Sequence, residues 1–154
     1  MPYEFKATRR VEFSYTDLAG IVHFSRFFQY METVEHGFFR SLGFSVVMPH
    51  DTPPRGFPRV HASCDYQRPL RFEDLVEMHL LVAARTARSL SYRIRFTRIE
   101  PGPAEEVAVG SLVVVCVEKP THGPMRAVEL PPALAAQVEV APAALLAATT
   151  ERSG

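Results

Sequence analysis

The sequence predicts an α+β domain: a curved antiparallel sheet of five to six strands wrapped around one long helix. Two observations lead there. A single strongly apolar helix near the N-terminus is followed only by segments of period two, and there is no alternating strand–helix rhythm of the kind a doubly wound parallel sheet requires. One helix cannot cover all the apolar surface of such a sheet. The pattern therefore also predicts that part of the sheet packs on another copy of the chain.

The elements follow in order. Residues 3–14 read as a strand running into Tyr15, with Val11, Phe13 and Tyr15 alternating with Arg10, Glu12 and Ser14. After the break Thr16-Asp17-Leu18-Ala19-Gly20, a helix is expected from about Ser25 to Leu42. Its apolar positions are Phe24, Phe27, Phe28, Met31, Val34, Phe38 and Leu42, and Gly43 is its stop signal. Residues 49–58 hold four prolines and a glycine and read as a loop. Strands are expected at 59–68 and 74–85 and over Leu90–Thr97, where apolar Leu90, Tyr92, Ile94 and Phe96 alternate with polar neighbours. Pro101-Gly102-Pro103 is a turn. Val107–Val117, apolar on both faces, is expected at the centre of the sheet. Met125–Leu130 reads as a short edge strand, and Pro131-Pro132 opens a short helix to about Val138. One domain over residues 1–140 is expected, with 141–154 as an alanine-rich, poorly ordered tail.

Composition narrows the function. The chain of 154 residues balances 17 Lys+Arg against 17 Asp+Glu, so it lacks the excess of cations a general nucleic-acid binder needs. No apolar run approaches the ~20 residues of a spanning helix. The N-terminus lacks the basic-then-apolar order of a signal peptide. A cytoplasmic protein with no membrane partner is the expectation. The two cysteines, Cys64 and Cys116, have no zinc-spaced partners and are expected as reduced, buried thiols. The sequence contains no G-x-S-x-G, H-E-x-x-H, Walker or G-x-G-x-x-G pattern, and the six histidines include no i, i+4 pair on one helix. No metal and no cofactor are expected.

The segment Asp17-Leu18-Ala19-Gly20-Ile21-Val22-His23-Phe24-Ser25 concentrates the chemistry. An acid follows a strand, a glycine permits a tight turn, and two aliphatic residues lead into an aromatic helix. The unpaired N–H groups at a helix start carry partial positive charge. A carboxylate beside such donors in an apolar cleft can attack a carbonyl, or activate water to do so, while the donors hold the oxyanion. The plainer reading makes Asp17 a turn residue, with Ser25 the better helix cap.

The run from Val11 to Glu32 resembles the opening signature of the 4-hydroxybenzoyl-CoA thioesterase family: strand, acid, x, x, Gly, two aliphatics, an aromatic pair, then an aromatic-rich helix carrying an acid. Gln67–Asp74, Arg88-Ser89-Leu90 and Arg126–Pro131 resemble later pieces in the right order, so the likeness covers about residues 5–135. The resemblance implies the hot-dog fold, dimerising through its sheets, and hydrolysis of an acyl-CoA thioester. By position it implies Asp17 as nucleophile or general base, the Phe24 backbone N–H as the group polarising the carbonyl, and Gly20 in the tight loop. Glu32 matches a position near the far end of the acyl group; a solvated helix face is its plainer reading. Arg88, with Arg85 or Arg71 as helpers, matches a contact to CoA phosphates or is a solvated turn residue. His61 falls on the strand that lines the cleft, or is a core histidine bonded to backbone. Where many relatives carry a second acid this chain has Tyr15, and where a tyrosine is frequent it has the His23-Phe24 pair. His23 could aid proton transfer.

The implied partner is an acyl-CoA substrate, aromatic acyl groups included, with CoA part of that substrate rather than a cofactor. The expected assembly is a homodimer or homotetramer. The rival readings are a hot-dog dehydratase, for which the sequence lacks a histidine-bearing helix start, and an acyl-CoA or acyl-carrier binding module without turnover.

Overall fold

The computed structural model describes residues 2–48 and 53–147. Strand β1 (Glu4–Arg10) leads through a 3-10 turn (Phe13–Tyr15) to helix α1 (Arg26–Ser41). Next come β2 (Arg55–Gly56), β3 (Arg59–Tyr66), β4 (Leu75–Arg85), β5 (Ser89–Glu100) and β6 (Glu105–Val115). Two short strands, β7 (Val117–Glu118) and β8 (Arg126–Ala127), and two short helices, α2 (Pro132–Ala135) and α3 (Ala143–Ala147), complete the order. The main sheet is antiparallel throughout, in the order β1-β4-β5-β6-β3, and β2, β7 and β8 form a small second sheet. This is the expected α+β hot-dog architecture.

Helix α1 lies across one face of the main sheet. Its Met31, Val34 and Phe38 are fully buried against Tyr92, Ile94 and Phe96 of β5 and Ala108, Leu112 and Val114 of β6. Each such side chain contributes roughly 1.5–3 kcal/mol on burial. Two glycines let the helix approach. A β-carbon on Gly110 of β6 would overlap the Met31 sulfur, and one on Gly37 of α1 would overlap the Phe5 ring of β1. Gly43 closes the helix at φ +86°, the left-handed conformation expected of a glycine stop.

Five expectations need correction. The first strand stops at Arg10, because Arg10 pairs with Leu75, the first residue of β4, and no partner strand continues beyond it. Val11 instead exchanges backbone bonds with the Glu73–Asp74 turn, and Phe13–Tyr15 winds into the 3-10 turn that leaves Phe13 74% exposed. The doubly apolar strand, β6, is not the centre of the sheet. That place belongs to β5, and the outer face of β6 (Val109, Val113, Val115) is only half-buried in the single chain. The proline-rich stretch contains β2, and the Met125–Leu130 strand shrinks to β8. The C-terminal stretch is fixed as far as Ala147: Ala141 donates to the Val82 carbonyl, α3 follows, and Arg93 donates to the Leu146 carbonyl. Residues 148–154 of the expected tail lie outside the described residues. Among the described residues Cys64 and Cys116 form no disulfide; Cys116 is buried and Cys64 half-buried.

Gly110→Ala is expected to lower stability by about 1–3 kcal/mol, because the added methyl must displace a buried Met31 in a filled core. Urea unfolding checks this: an unchanged midpoint would mean that α1 does not rest on β6 at this point.

Candidate active site at the start of the long helix

The loop between the 3-10 turn and α1 is a small closed hairpin. Thr16 bridges Val22, the Asp17 N–H donates to the Ile21 carbonyl at 2.9 Å, and the Gly20 N–H donates back to the Asp17 carbonyl at 2.9 Å. Gly20 sits at φ +78°, where a side chain would strain the backbone, which accounts for glycine there. Asp17 Oδ1 accepts the Ala19 N–H at 2.8 Å, so the turn role is real. The same carboxylate also lines a cleft of about 530 Å³ walled by Ile21, Val22, Phe24, Phe27 and Leu70. Tyr66, Gln67, Arg68 and Pro69 complete it, and the Val22 N–H ties the loop to the Leu70 carbonyl at 2.8 Å.

Ser25 holds the N-cap position of α1 but makes no side-chain capping bond. Its hydroxyl instead meets His23 Nδ1 at 2.7 Å. Phe24, just before it, lines the cleft. Among the described residues no backbone carbonyl accepts the Phe24 N–H, whereas the flanking His23 and Arg26 N–H groups donate to Tyr15 and His23 carbonyls. The fold thus brings Asp17 and the Phe24 peptide to one apolar cleft, with Gly20 shaping the loop between them. His23 stacks on Phe24 with ring centroids 4.5 Å apart, but the cleft walls do not include it.

The remaining expected residues are elsewhere. Glu32 borders two other clefts, about 470 and 240 Å³, between α1 and the β2–β3 region. There it stands 3.9 Å from Arg59 Nη2 and 4.0 Å from His36 Nε2. His61 is neither on the cleft nor in the core. It pairs opposite Val113, on the face away from α1, while its neighbour Ala62 faces the helix. It is exposed, with Nε2 3.3 Å from the Ser63 hydroxyl. A register shift between Arg59 and His61 separates the two orientations. Arg88 is exposed in the β4–β5 turn, at the far end of β5 from Phe96, on which the cleft residue Phe27 packs. Arg85 is committed to structure, donating to the Ala135 and Val138 carbonyls at the end of α2. Arg71 is exposed next to Leu70 of the cleft, and Arg68 lines the cleft itself. No group of three or more metal-ligating side chains occurs among the described residues.

Sequence reading missed a buried polar cluster. Glu35 of α1 is fully buried, 2.7 Å from Arg59 Nη2 of β3, and the buried Tyr92 hydroxyl of β5 also acts on it. The signal was present: Glu35 stands four residues after Met31 and three before Phe38, on the apolar stripe. Burial raises the Glu35 pKa above its ordinary 4.5, against the opposing pull of Arg59 and the Tyr92 hydrogen bond. Burial, and then the Glu35 charge, raises Tyr92 well above 10.0.

A model of the thioesterase superfamily matches residues 19–105. The chain belongs to the thioesterase superfamily. It is 40% identical over 82 residues to the protein named "Putative esterase" of Aquifex aeolicus (strain VF5), a match over 52% of this chain and 60% of that protein. The chain thus spans less than two thirds of the length of that curated relative. Its fold is that of a 1,4-dihydroxy-2-naphthoyl-CoA thioesterase from Synechocystis, with a TM-score of 0.77 at 23% identity over 88% of this chain and 95% of that one. The 4-hydroxybenzoyl CoA thioesterase of Pseudomonas sp. strain CBS-3 superposes with a TM-score of 0.76 at 17% identity, over 88% of this chain and 99% of that one.

The raised Glu35 pKa fixes the sign of a pH effect. The folded state binds that proton more tightly than the unfolded chain, so the contribution is fully present below 4.5 and is lost as pH rises through the raised folded value. Glu35→Gln is expected to remove this downward slope in stability, measured by urea unfolding from pH 4 to 8. An unaltered slope would place the titration on another group.

Proposed function

We propose that this protein hydrolyses an acyl-CoA thioester to a free acid and CoA. The observation that supports this most directly is that Asp17 and Phe24 line one apolar cleft and that, among the described residues, no backbone carbonyl accepts the Phe24 N–H. An aspartate bonded by Ala19 through Oδ1 is already oriented within its turn. Either it attacks the thioester carbonyl, or it takes a proton from a water that does. In the first case the acyl-aspartyl anhydride is then hydrolysed. In both, CoA leaves as a thiolate, so no strong acid is needed for departure. The Phe24 N–H, beside the positive end of α1, stabilises the oxyanion.

The cleft walls are aliphatic and aromatic, which suits a flat apolar acyl group. Aryl-CoA substrates named for two proteins of the same fold favour an aromatic acyl group here. Arg68 lines the cleft and Arg71 follows its Leu70 in the chain; both suit the CoA phosphates. Arg88 lies too far along the sheet to serve the cleft of its own chain. It would serve a substrate held by a second copy. No helix of the described residues is long and apolar enough to cross a membrane.

A homodimer joined through β3 accommodates these positions. β3 is an edge strand of eight residues, mostly exposed, with Val60 63% exposed and with neither proline nor lysine along it. Exposed Phe13, Phe24, Tyr66 and Phe72 lie toward the same end of the fold as the cleft. Sedimentation at low micromolar concentration should show dimers or dimers of dimers. A monodisperse, active monomer would remove the shared site.

Asp17→Asn is expected to lower thiol release from acyl-CoA by at least ~100-fold, because the amide is isosteric but neither nucleophile nor base. Binding of the substrate should persist. Wild-type turnover in this variant would reduce Asp17 to its turn role. Absence of turnover in the wild-type chain across an acyl-CoA panel, with binding retained, would favour the non-hydrolytic binding module.

A further inference from the structure

The Phe24 residue offers two polar backbone groups beside the cleft, and only one of them suits catalysis. Its N–H can hold an oxyanion. Its carbonyl oxygen carries the opposite partial charge and would repel one. That carbonyl precedes the N-cap Ser25, so it lies outside the hydrogen-bond ladder of α1. It is nevertheless occupied: the Tyr66 hydroxyl donates to it at 2.7 Å.

Tyr66 is well placed for this. It is the last residue of β3, on the face toward α1, and opposite it on β6 stands the small Ala108. Its ring packs edge-on against Phe27 at 5.0 Å between centroids, and Phe27 packs in the same way on the fully buried Phe96 at 5.2 Å. The hydroxyl is therefore carried on a stack anchored in the core, 42 residues along the chain from the carbonyl it meets. Partial burial, and then the neighbouring Cys64 thiol, push the phenol up to about 12, so it stays a donor at neutral pH.

We infer that Tyr66 is a positioning residue for the oxyanion site. Its hydroxyl occupies the Phe24 carbonyl and restrains the main chain on the C-terminal side of Phe24, leaving the Phe24 N–H of the preceding peptide as the group available to the reacting oxygen. The inference rests on the thioester-hydrolysis reading above, and in it the Tyr66 hydroxyl acts through the Phe24 carbonyl. Loss of the hydroxyl would release the Phe24–Ser25 peptide, loosen the main chain that carries the Phe24 N–H of the preceding peptide, and leave an unpaired carbonyl near a developing negative charge. These effects act in the transition state more than in the bound substrate.

The test uses Tyr66→Phe and Tyr66→Leu in the full chain, assayed with the acyl-CoA that the wild-type protein turns over fastest. Positioning by the hydroxyl predicts that kcat falls about 10- to 100-fold in both variants while the KM of Tyr66→Phe stays within about twofold of wild type. A packing role predicts that Tyr66→Phe matches wild type and only Tyr66→Leu is impaired, which would overturn the inference. A second readout needs no turnover. In the Asp17→Asn background, the infrared band of the bound thioester carbonyl should shift less from its free position once Tyr66→Phe is added. An unmoved band would also overturn the inference, whether or not the single variants fold well. If Asp17→Asn abolishes turnover while Tyr66→Phe leaves it intact, the hydrolytic reading stands and only the role of Tyr66 is lost. If the wild-type chain hydrolyses no acyl-CoA, both fall.

Discussion

The seat of α1 on the sheet is the constraint on which the rest of this structure depends. The helix carries its aromatic and aliphatic stripe onto β5 and β6, and Gly110 and Gly37 remove the two side-chain branches that would hold it off. Its start is thereby fixed over the segment that links β3 to β4, where the Asp17 loop is tied to Leu70. Asp17 and Phe24 come from one loop, and Tyr66 from the end of a strand 42 residues beyond Phe24. They share a cleft because Phe27 packs on Phe96 beneath them. The geometry of the candidate site is thus a by-product of a hydrophobic contact that involves neither Asp17 nor Phe24.

A second tie runs through Glu35 and Arg59. Burying an ion pair is weak evidence for added stability, since desolvation opposes the Coulomb attraction. What the pair provides is a fixed relation between the middle of α1 and the first residue of the edge strand. Arg59 stands at the register shift after which the strand turns His61 outward and Ala62 inward. The orientation of every later β3 side chain, down to Tyr66, is set from that point.

The fold was legible from the sequence where periodicity was strong. The helix, β4, β5 and β6 were all expected close to their observed bounds, because long amphipathic segments leave little ambiguity. The end of β1 was not, since Val11, Phe13 and Tyr15 alternate perfectly yet have no strand to pair with; pairing is a tertiary fact that alternation cannot carry. The same holds for the site. Asp17, Gly20 and Phe24 stand within one local motif and could be read together. His61 was assigned the wrong face because a one-residue shift inverts a strand, and Arg85 was offered for phosphates though it caps α2. Tyr66 and Glu35 escaped notice because their partners lie far along the chain or, in the case of Glu35, because an acid on an apolar stripe invites no expectation until its cation is placed.

The strand order carries a consequence for how the molecule assembles. β4, β5 and β6 are a meander of neighbours and can pair through short loops, whereas β1 pairs with β4 across intervening chain, at sequence separations that run from Arg10–Leu75 to the longer Glu4–Leu81. Loop-closure entropy delays such long-range pairings relative to local ones. The Asp17 loop lies inside that intervening chain, between β1 and α1, and cannot take its final shape until both have docked. On this topology the candidate site is expected to be completed late in folding, after the β4–β5–β6 meander has formed.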